Sequence, residues 1–348
     1  MNITRTTRTT RTTCITRTTH LRLAVLLLLG ALPVAPALAQ TYIYTEATAS
    51  ARHTEIGVVE PFVASEFEAR EGSAPFGRLS ALADSDYQTP VYNGLGRSWS
   101  EVAVGGIHVY ALSQSVAGGQ GPTSATGSGR ARGFVSDFFG LSVPGQASGA
   151  VFTVTAQVRV DGAAGAATTP GWTGAFQQNR ADGFSDWQSW VRVIQGVNGN
   201  TLAELRAGQD CSARTSFGTP PGCVSSGLPG LQTISFQMLN HGALLQLDMR
   251  GWASAGTSVN LSLGQVSADS WSDLGHTIAW GGITELRDAN NQLVSNFSAF
   301  SASSGFDYRN AYVSAVPELP TPALAVLGLG LMGLLSLHRR RAGADSVA

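Results

Sequence analysis

Strict alternation of apolar and polar residues is the feature that most restricts the fold of this chain. In VFTVTAQVRV (151–160) every second side chain, from Phe152 to Val160, is apolar, and those between them are polar. A period of two is typical of a β-strand with one face in a core and the other in water. Strand-like sequence also occurs at residues 41–48, 101–112, 189–196, 233–238, 243–250 and 258–264.

The strands predict an all-β fold, because helical periodicity is weak everywhere outside the two chain ends. Glycine is abundant, with 41 residues, and only 13% of residues are charged. This composition suits many short strands joined by Gly- and Ser-rich turns. We expect residues 40–315 to form an antiparallel β-sandwich or jelly-roll-like body.

The connections between strands are predicted from the same patterns. Residues 251–257 (GWASAGT) are expected to turn the chain between two strands, and residues 282–300 to form a hairpin around an Asp/Asn turn. Two stretches rich in small residues, at 113–130 and 161–172, interrupt the alternation. We expect them to be long loops rather than domain linkers, because strand-like sequence resumes on both sides.

The N-terminal residues 1–39 predict export. An Arg/Thr-rich tract without acidic residues precedes the apolar run Leu23–Leu32, and Ala37 and Ala39 form a small-x-small pattern before residue 40. This order is typical of a secretory signal peptide. The apolar run is shorter than the roughly 20 residues needed to cross a bilayer.

Cysteine usage and net charge restrict the compartment and the partners. Cys211 and Cys223 flank a Pro/Gly-rich stretch, and in an oxidising compartment they most simply form a disulfide. Residues 40–338 contain 14 arginines, no lysine and 22 acidic residues, a net charge of −8. Such a body should repel nucleic acid, so we expect no nucleic-acid or other polyanionic partner.

Motifs that would indicate catalysis or a cofactor are absent from the sequence of residues 40–315. It contains no G-x-S-x-G elbow, no H-E-x-x-H and no P-loop. GLGLMG (328–333) fits G-x-G-x-x-G, but it lies in an apolar tail without the strand and helix that a dinucleotide site requires. We expect no catalytic residue, no cofactor and no metal site.

Three tryptophans in a short polar stretch are the candidate binding residues. Trp172, Trp187 and Trp190 could stack against sugar rings, or they could fill the core, where aromatic residues bury most of their area. In a strand, Trp187 and Trp190 point to opposite faces, so at most one of them faces solvent.

The C-terminal tail predicts a membrane segment. Residues 323–335 are apolar throughout, and a helix over 321–337 would span about 25 Å, just short of the thickness of a hydrocarbon core. Arg339, Arg340 and Arg341 follow at once and should stay in the cytoplasm, with residues 342–348 behind them. Together with the signal peptide, the tail predicts a body outside the inner membrane.

The order of features in the tail resembles the PEP-CTERM sorting signal over residues 316–341. Val316, Pro317, Glu318 and Pro320 correspond to its recognition motif, followed by the span and the arginine cluster. Leu319 separates Glu318 from Pro320, a departure from the family's Pro-Glu-Pro. The resemblance implies that an integral-membrane exosortase recognises and cuts the tail.

The resemblance also implies a localisation and a role. The protein would be held at the periplasmic face of the inner membrane and then released to the cell surface or the extracellular matrix. Proteins of this family are associated with exopolysaccharide and biofilm production, so a non-enzymatic bacterial surface or matrix protein is expected. The alternatives are a carbohydrate-binding module that uses the tryptophans and a hydrolase of matrix polysaccharides.

Overall fold

Fourteen antiparallel β-strands form the regular structure of the part of the chain that the structure describes. The computed structural model describes residues 41–313 except 56–61, 74–77, 89–91, 120–122, 170–179, 196–198, 215–218, 228, 241–243 and 262–263. The strands are β1 Tyr42–Glu55, β2 Phe62–Ser73, β3 Arg78–Gln88, β4 Tyr92–Ala103, β5 Gly106–Gly119, β6 Thr123–Ser142, β7 Val151–Thr169, β8 Arg180–Gln195, β9 Asn200–Arg214, β10 Thr219–Ser226, β11 Gly230–Leu239, β12 Leu244–Leu261, β13 Gly264–Arg287 and β14 Ser298–Phe300.

The strands pair in two sheets that pack face to face. The first sheet has the order β10-β9-β8-β12-β6-β1-β2, with β14 also paired to β6. The second has the order β11-β7-β13-β5-β4-β3. The prediction of an all-β, antiparallel, sandwich-like fold is confirmed. The signal peptide (1–39) and the tail (316–348) lie outside the described residues.

The core lies between the sheets, and the alternation of residue types determines which side chains enter it. In β7 the side chains from Phe152 to Val160 are buried at every second position, as the sequence predicts. They share one core cluster with Leu247 of β12 and Trp280 of β13. Each strand thus keeps a second face for solvent, and the outer face of the first sheet carries the candidate site.

Residues 251–257 do not form the predicted turn, because they lie in the middle of β12. The two glycines of this segment make room for neighbouring side chains. A Cβ atom would lie 2.9 Å from Ile107 Cγ2 at Gly251, and 2.1 Å from the Phe184 ring at Gly256. Glycine here serves close packing rather than chain reversal.

The loops predicted at 113–130 and 161–172 are also wrong over most of their length. Strands β5 and β6 cover all of the first stretch except 120–122, and β7 continues to Thr169. At Gly127 and Gly129 a Cβ atom would lie 2.3 and 2.2 Å from backbone oxygens of the opposite sheet. Because the sheets approach so closely here, the inward positions have no room for a large apolar side chain, and the alternation disappears from the sequence.

The hairpin predicted at 282–300 forms only in part. Its turn exists: the Asp288 carboxylate accepts hydrogen bonds from the backbone N–H groups of Asn290 and Gln292, at 2.9 and 2.8 Å. After the turn the chain makes a single bridge, from Leu293 to Arg287. The following strand, β14, pairs with β6 of the first sheet instead.

Candidate ligand-binding groove

The three candidate tryptophans have different positions. Trp172 lies outside the described residues. Trp187 is 1% exposed, and its indole Nε1–H donates to Gln209 Oε1 at 3.4 Å. Trp190 is half-buried on the opposite face of β8, so the prediction of opposite faces is confirmed. Trp187 is therefore corrected from a candidate sugar-binding residue to a core residue, because its ring is covered on all sides.

Trp190 lies in a groove of about 860 Å³ on the outer face of the first sheet. The aromatic residues that line this groove are Tyr42, Tyr44, Phe134, Trp190 and Trp252. The groove is also lined by three arginines, Arg132, Arg206 and Arg250. We call it the arginine-aromatic groove. Its lining comes from six adjacent strands of the first sheet, in the order β10-β9-β8-β12-β6-β1. Neighbouring strands are about 4.8 Å apart, so the groove extends roughly 24 Å across the strands.

One cross-strand row carries most of these side chains. In the strand register Tyr44 is opposite Phe134, Phe134 opposite Arg250, Arg250 opposite Trp190, and Trp190 opposite Arg206. Aromatic and arginine residues therefore meet across five strands at one level of the sheet. Directly opposed side chains are about 5 Å apart at Cβ, so such a row packs as a unit.

Guanidinium groups stack on the rings of this row and of the next. The Arg250 guanidinium lies 4.9 Å from the Phe134 ring centre and 4.5 Å from that of Trp190. In the next row the Arg132 guanidinium lies 4.9 Å from the Trp252 ring. Each contact of this kind contributes about 0.5–2 kcal/mol, depending on its exposure. The stacking fixes the cationic groups at defined places along the groove.

The lining of the groove is cationic, because none of the described residues that line it is acidic. Of the carboxylates beside it, Asp248 is paired with Arg192 at 2.9 Å and Glu204 is paired with Arg206. Among the described residues, no carboxylate lies within 4.0 Å of Arg132 or Arg250. These two guanidinium groups make no ion pair among the described residues, and Glu46, which is opposite Arg132 in the pairing of β1 and β6, accepts a hydrogen bond from Tyr44 instead.

Tyr44 adds a neutral hydroxyl to the row. Its hydroxyl donates to Glu46 Oε2 at 2.6 Å. Burial, together with this hydrogen bond, raises the pKa of Tyr44 to about 12. The phenol therefore stays protonated at neutral pH, and Glu46 is occupied as an acceptor at the side of the groove.

One stacked pair of the groove, Arg132 and Trp252, has covered donors, Arg132 Nε and Trp252 Nε1, that find no hydrogen-bond partner among the described residues. Buried donors are usually satisfied, so an unmade bond at this place is costly.

The predicted disulfide Cys211–Cys223 is confirmed, with an S–S distance of 2.00 Å. The two cysteines are directly opposite each other in the pairing of β9 and β10. Strand β9 supplies Arg206 to the groove and the edge strand β10 supplies Ser226. The disulfide therefore fastens the outermost strand of the groove to its neighbour.

The described residues contain neither a metal-binding cluster nor a membrane-spanning helix. No group of three or more His, Cys, Asp or Glu side chains that could hold a metal occurs there. The same residues include no helix with the length and apolar character needed to span a bilayer. The predicted segment 321–337 and the sorting residues Val316, Pro317, Glu318, Pro320 and Arg339–Arg341 lie outside the described residues.

Comparisons with known proteins give no match. A scan against protein-family models, a search of curated proteins and a search of solved structures each find none for this chain. The resemblance of the tail to the PEP-CTERM signal stays a prediction. The function is therefore argued from the groove itself.

Proposed function

We propose that this chain is an exported, non-enzymatic bacterial surface or extracellular-matrix protein that holds an extracellular polysaccharide in the arginine-aromatic groove. The observation that carries the proposal is the alignment of rings and guanidinium groups across five strands at one level of the sheet. A rigid sheet holds such a row without the help of mobile loops. A groove about 24 Å wide suits an extended polymer better than a small compact ligand.

The chemistry of the lining also favours a glycan. Sugars offer apolar ring faces and many hydroxyl groups, and they are bound by aromatic rings that have polar groups beside them. Besides its rings, the groove has the side chains of Gln188 and Ser226 as hydrogen-bonding groups. Gln188 is exposed next to Trp252 in the register. Ligand sites of this type combine apolar surface with a few placed polar groups.

A retention assay tests the proposed function. The full chain would be run in native gels that contain neutral or acidic polysaccharides, together with the variants Trp190→Ala and Trp252→Ala. We expect at least one polysaccharide to slow the wild-type chain, and both variants to be slowed less. A wild-type chain that migrates identically in every gel would refute polysaccharide binding.

The route to the cell surface is a separate part of the proposal. Residues 1–39 would direct export, and the tail 316–341 would hold the jelly-roll-like body at the inner membrane until an exosortase cuts it. Mass spectrometry of the C-terminal peptide from native cells and medium tests this. We expect a mature end near Pro317–Pro322, without Arg339–Arg341. An intact C-terminus through Ala348, found only in membranes, would contradict processing.

A further inference from the structure

Arginine guanidinium groups lie over three of the five aromatic rings that line the groove, those of Phe134, Trp190 and Trp252. Trp190 has the guanidinium groups of Arg192 and Arg250 at 4.5 Å, and Trp252 has those of Arg130 and Arg132 at 5.3 and 4.9 Å. A sugar that stacked on these ring faces would have to displace the guanidinium groups. The rings therefore act first as supports that position cations.

A stacked guanidinium remains able to bind an anion. It contacts the ring through its flat face, while its N–H donors lie in its own plane. Those donors match the two oxygens of a carboxylate, and the resulting pair of hydrogen bonds is stronger than bonds between neutral groups. Arg250 is exposed and has no acidic partner among the described residues, so its donors are open to a ligand.

We propose that the ligand of the groove is an acidic polysaccharide whose uronate carboxylates pair with Arg250 and Arg132. This inference rests on the proposed function and specifies its ligand class. Arg250 belongs to the central row and Arg132 to the next row on the adjacent strand. The two residues are therefore diagonal neighbours, about 7 Å apart at Cβ. Carboxylates along an extended uronate chain would pair with these two arginines. The sugar hydroxyls would form hydrogen bonds with Gln188 and Tyr44.

The observations favour a glycan over a nucleic acid as the anion. Duplex DNA carries one negative charge for about every 1.7 Å of its axis, so its binding needs many cations and tolerates few nearby anions. Here residues 40–338 carry a net charge of −8, and paired carboxylates, Asp248 and Glu204, flank the groove. Two guanidinium groups without an ion pair match a polymer with one charge on each sugar ring better than they match a duplex. The expectation of no polyanionic partner, drawn from net charge, is thereby revised for this one surface.

Calorimetric titration of the full chain tests the inference with two matched polymers. Polygalacturonate carries a carboxylate on each ring, and its fully methyl-esterified form keeps the same backbone without the charge. We expect the wild type to bind polygalacturonate at least roughly tenfold more tightly, because hydrogen bonds to charged groups are the stronger ones. We also expect this preference to shrink as NaCl rises from 50 to 500 mM, because salt screens exposed charges.

Three arginine variants test whether the preference for polygalacturonate over its ester arises in the groove. Arg250→Gln and Arg132→Gln should each reduce affinity for polygalacturonate roughly tenfold and leave the ester unaffected. Arg159→Gln, an exposed arginine of β7 in the other sheet, is the matched control and should bind as the wild type does. A loss of affinity in Arg159→Gln equal to that in Arg250→Gln would overturn the assignment to the groove.

The experiment distinguishes a failure of the acidic-ligand inference from a failure of the proposed polysaccharide binding. Equal binding of polygalacturonate and its ester, lost in Trp190→Ala, would overturn the acidic ligand and keep the polysaccharide function. No binding of any polysaccharide would overturn both. Binding of a single-stranded oligodeoxythymidylate more tightly than polygalacturonate would overturn the glycan and indicate a nucleic-acid site.

Discussion

Replacing Trp187 and Trp190 separately by alanine should have opposite consequences, although the two residues are three positions apart. Trp187 is fully buried, and the structure is fitted to it: a Cβ atom at Gly162 would lie 2.7 Å from its ring. Truncation of a buried tryptophan costs about 3–5 kcal/mol in free energy of unfolding. At about 2 °C per kcal/mol for a domain of this size, Tm should fall by roughly 6–10 °C.

Trp190→Ala should affect stability much less and binding much more. Its half-buried ring mainly supports Arg192 and Arg250, and the loss of two such contacts costs about 1–2 kcal/mol, or roughly 2–4 °C in Tm. Thermal unfolding of the full chain followed by circular dichroism measures the first effect. Polysaccharide retention well below Tm measures the second, where Trp187→Ala should bind normally. A Trp187→Ala variant that melts within 2 °C of the wild type, or a Trp190→Ala variant with undiminished retention, would refute the reasoning.

Three further predictions concern stability and are checked by urea unfolding. Asp137→Ala should lose at least about 3 kcal/mol, because this carboxylate is 0% exposed and accepts hydrogen bonds from five surrounding hydroxyl groups; an unchanged unfolding midpoint would contradict this. The double variant Cys211→Ser/Cys223→Ser should lose about 3 kcal/mol under oxidising conditions, and the difference from the wild type should vanish when the wild type is reduced. Gly129→Ala should cost about 1–3 kcal/mol, because its Cβ atom would lie 2.2 Å from a backbone oxygen of the opposite sheet. Gly140→Ala on the same strand, with no atom within 4 Å of the added Cβ, should be neutral, and equal effects of the two would show that close sheet contact is not the cause.

The sequence predicts the fold class because wide parts of the sandwich are filled with large apolar side chains. Phe152–Val160 shows this clearly, since its alternation and its burial agree residue by residue. Where the sheets are close, as at Gly127 and Gly129, small residues fill the inward positions and no hydrophobic period remains. Long strands therefore have the composition of loops at these places.

The groove was missed for a related reason. Arg250 ends the predicted strand 243–250 and Trp252 belongs to the predicted turn 251–257, so the prediction does not place them on one face, whereas both lie in β12. An alternation of large polar or aromatic residues with small ones, as in Arg250-Gly251-Trp252-Ala253, was the available signal. The match of Arg250 with Phe134 and Trp190 depends on strand register between distant segments, which no local pattern reveals.

Net charge was a poor guide to the ligand because it averages over the whole surface. The guanidinium groups of the groove come from three strands that are far apart in the sequence, at positions 132, 206 and 250. Beside them, Asp248 is paired with Arg192 outside the lining, whereas Glu204 is paired with Arg206 of the groove. A local cationic surface can therefore exist on an anionic body, and only the fold assembles it.

Arginine footprinting is the most direct test of the central claim that the groove binds polysaccharide. The chain contains no lysine, so modification by phenylglyoxal with peptide mass spectrometry examines every permanent side-chain cation. In the presence of polygalacturonate we expect slower modification of Arg132, Arg206 and Arg250, and an unchanged rate at Arg159. Equal protection of Arg159, or none at the three groove arginines while the polymer is bound, would contradict the account.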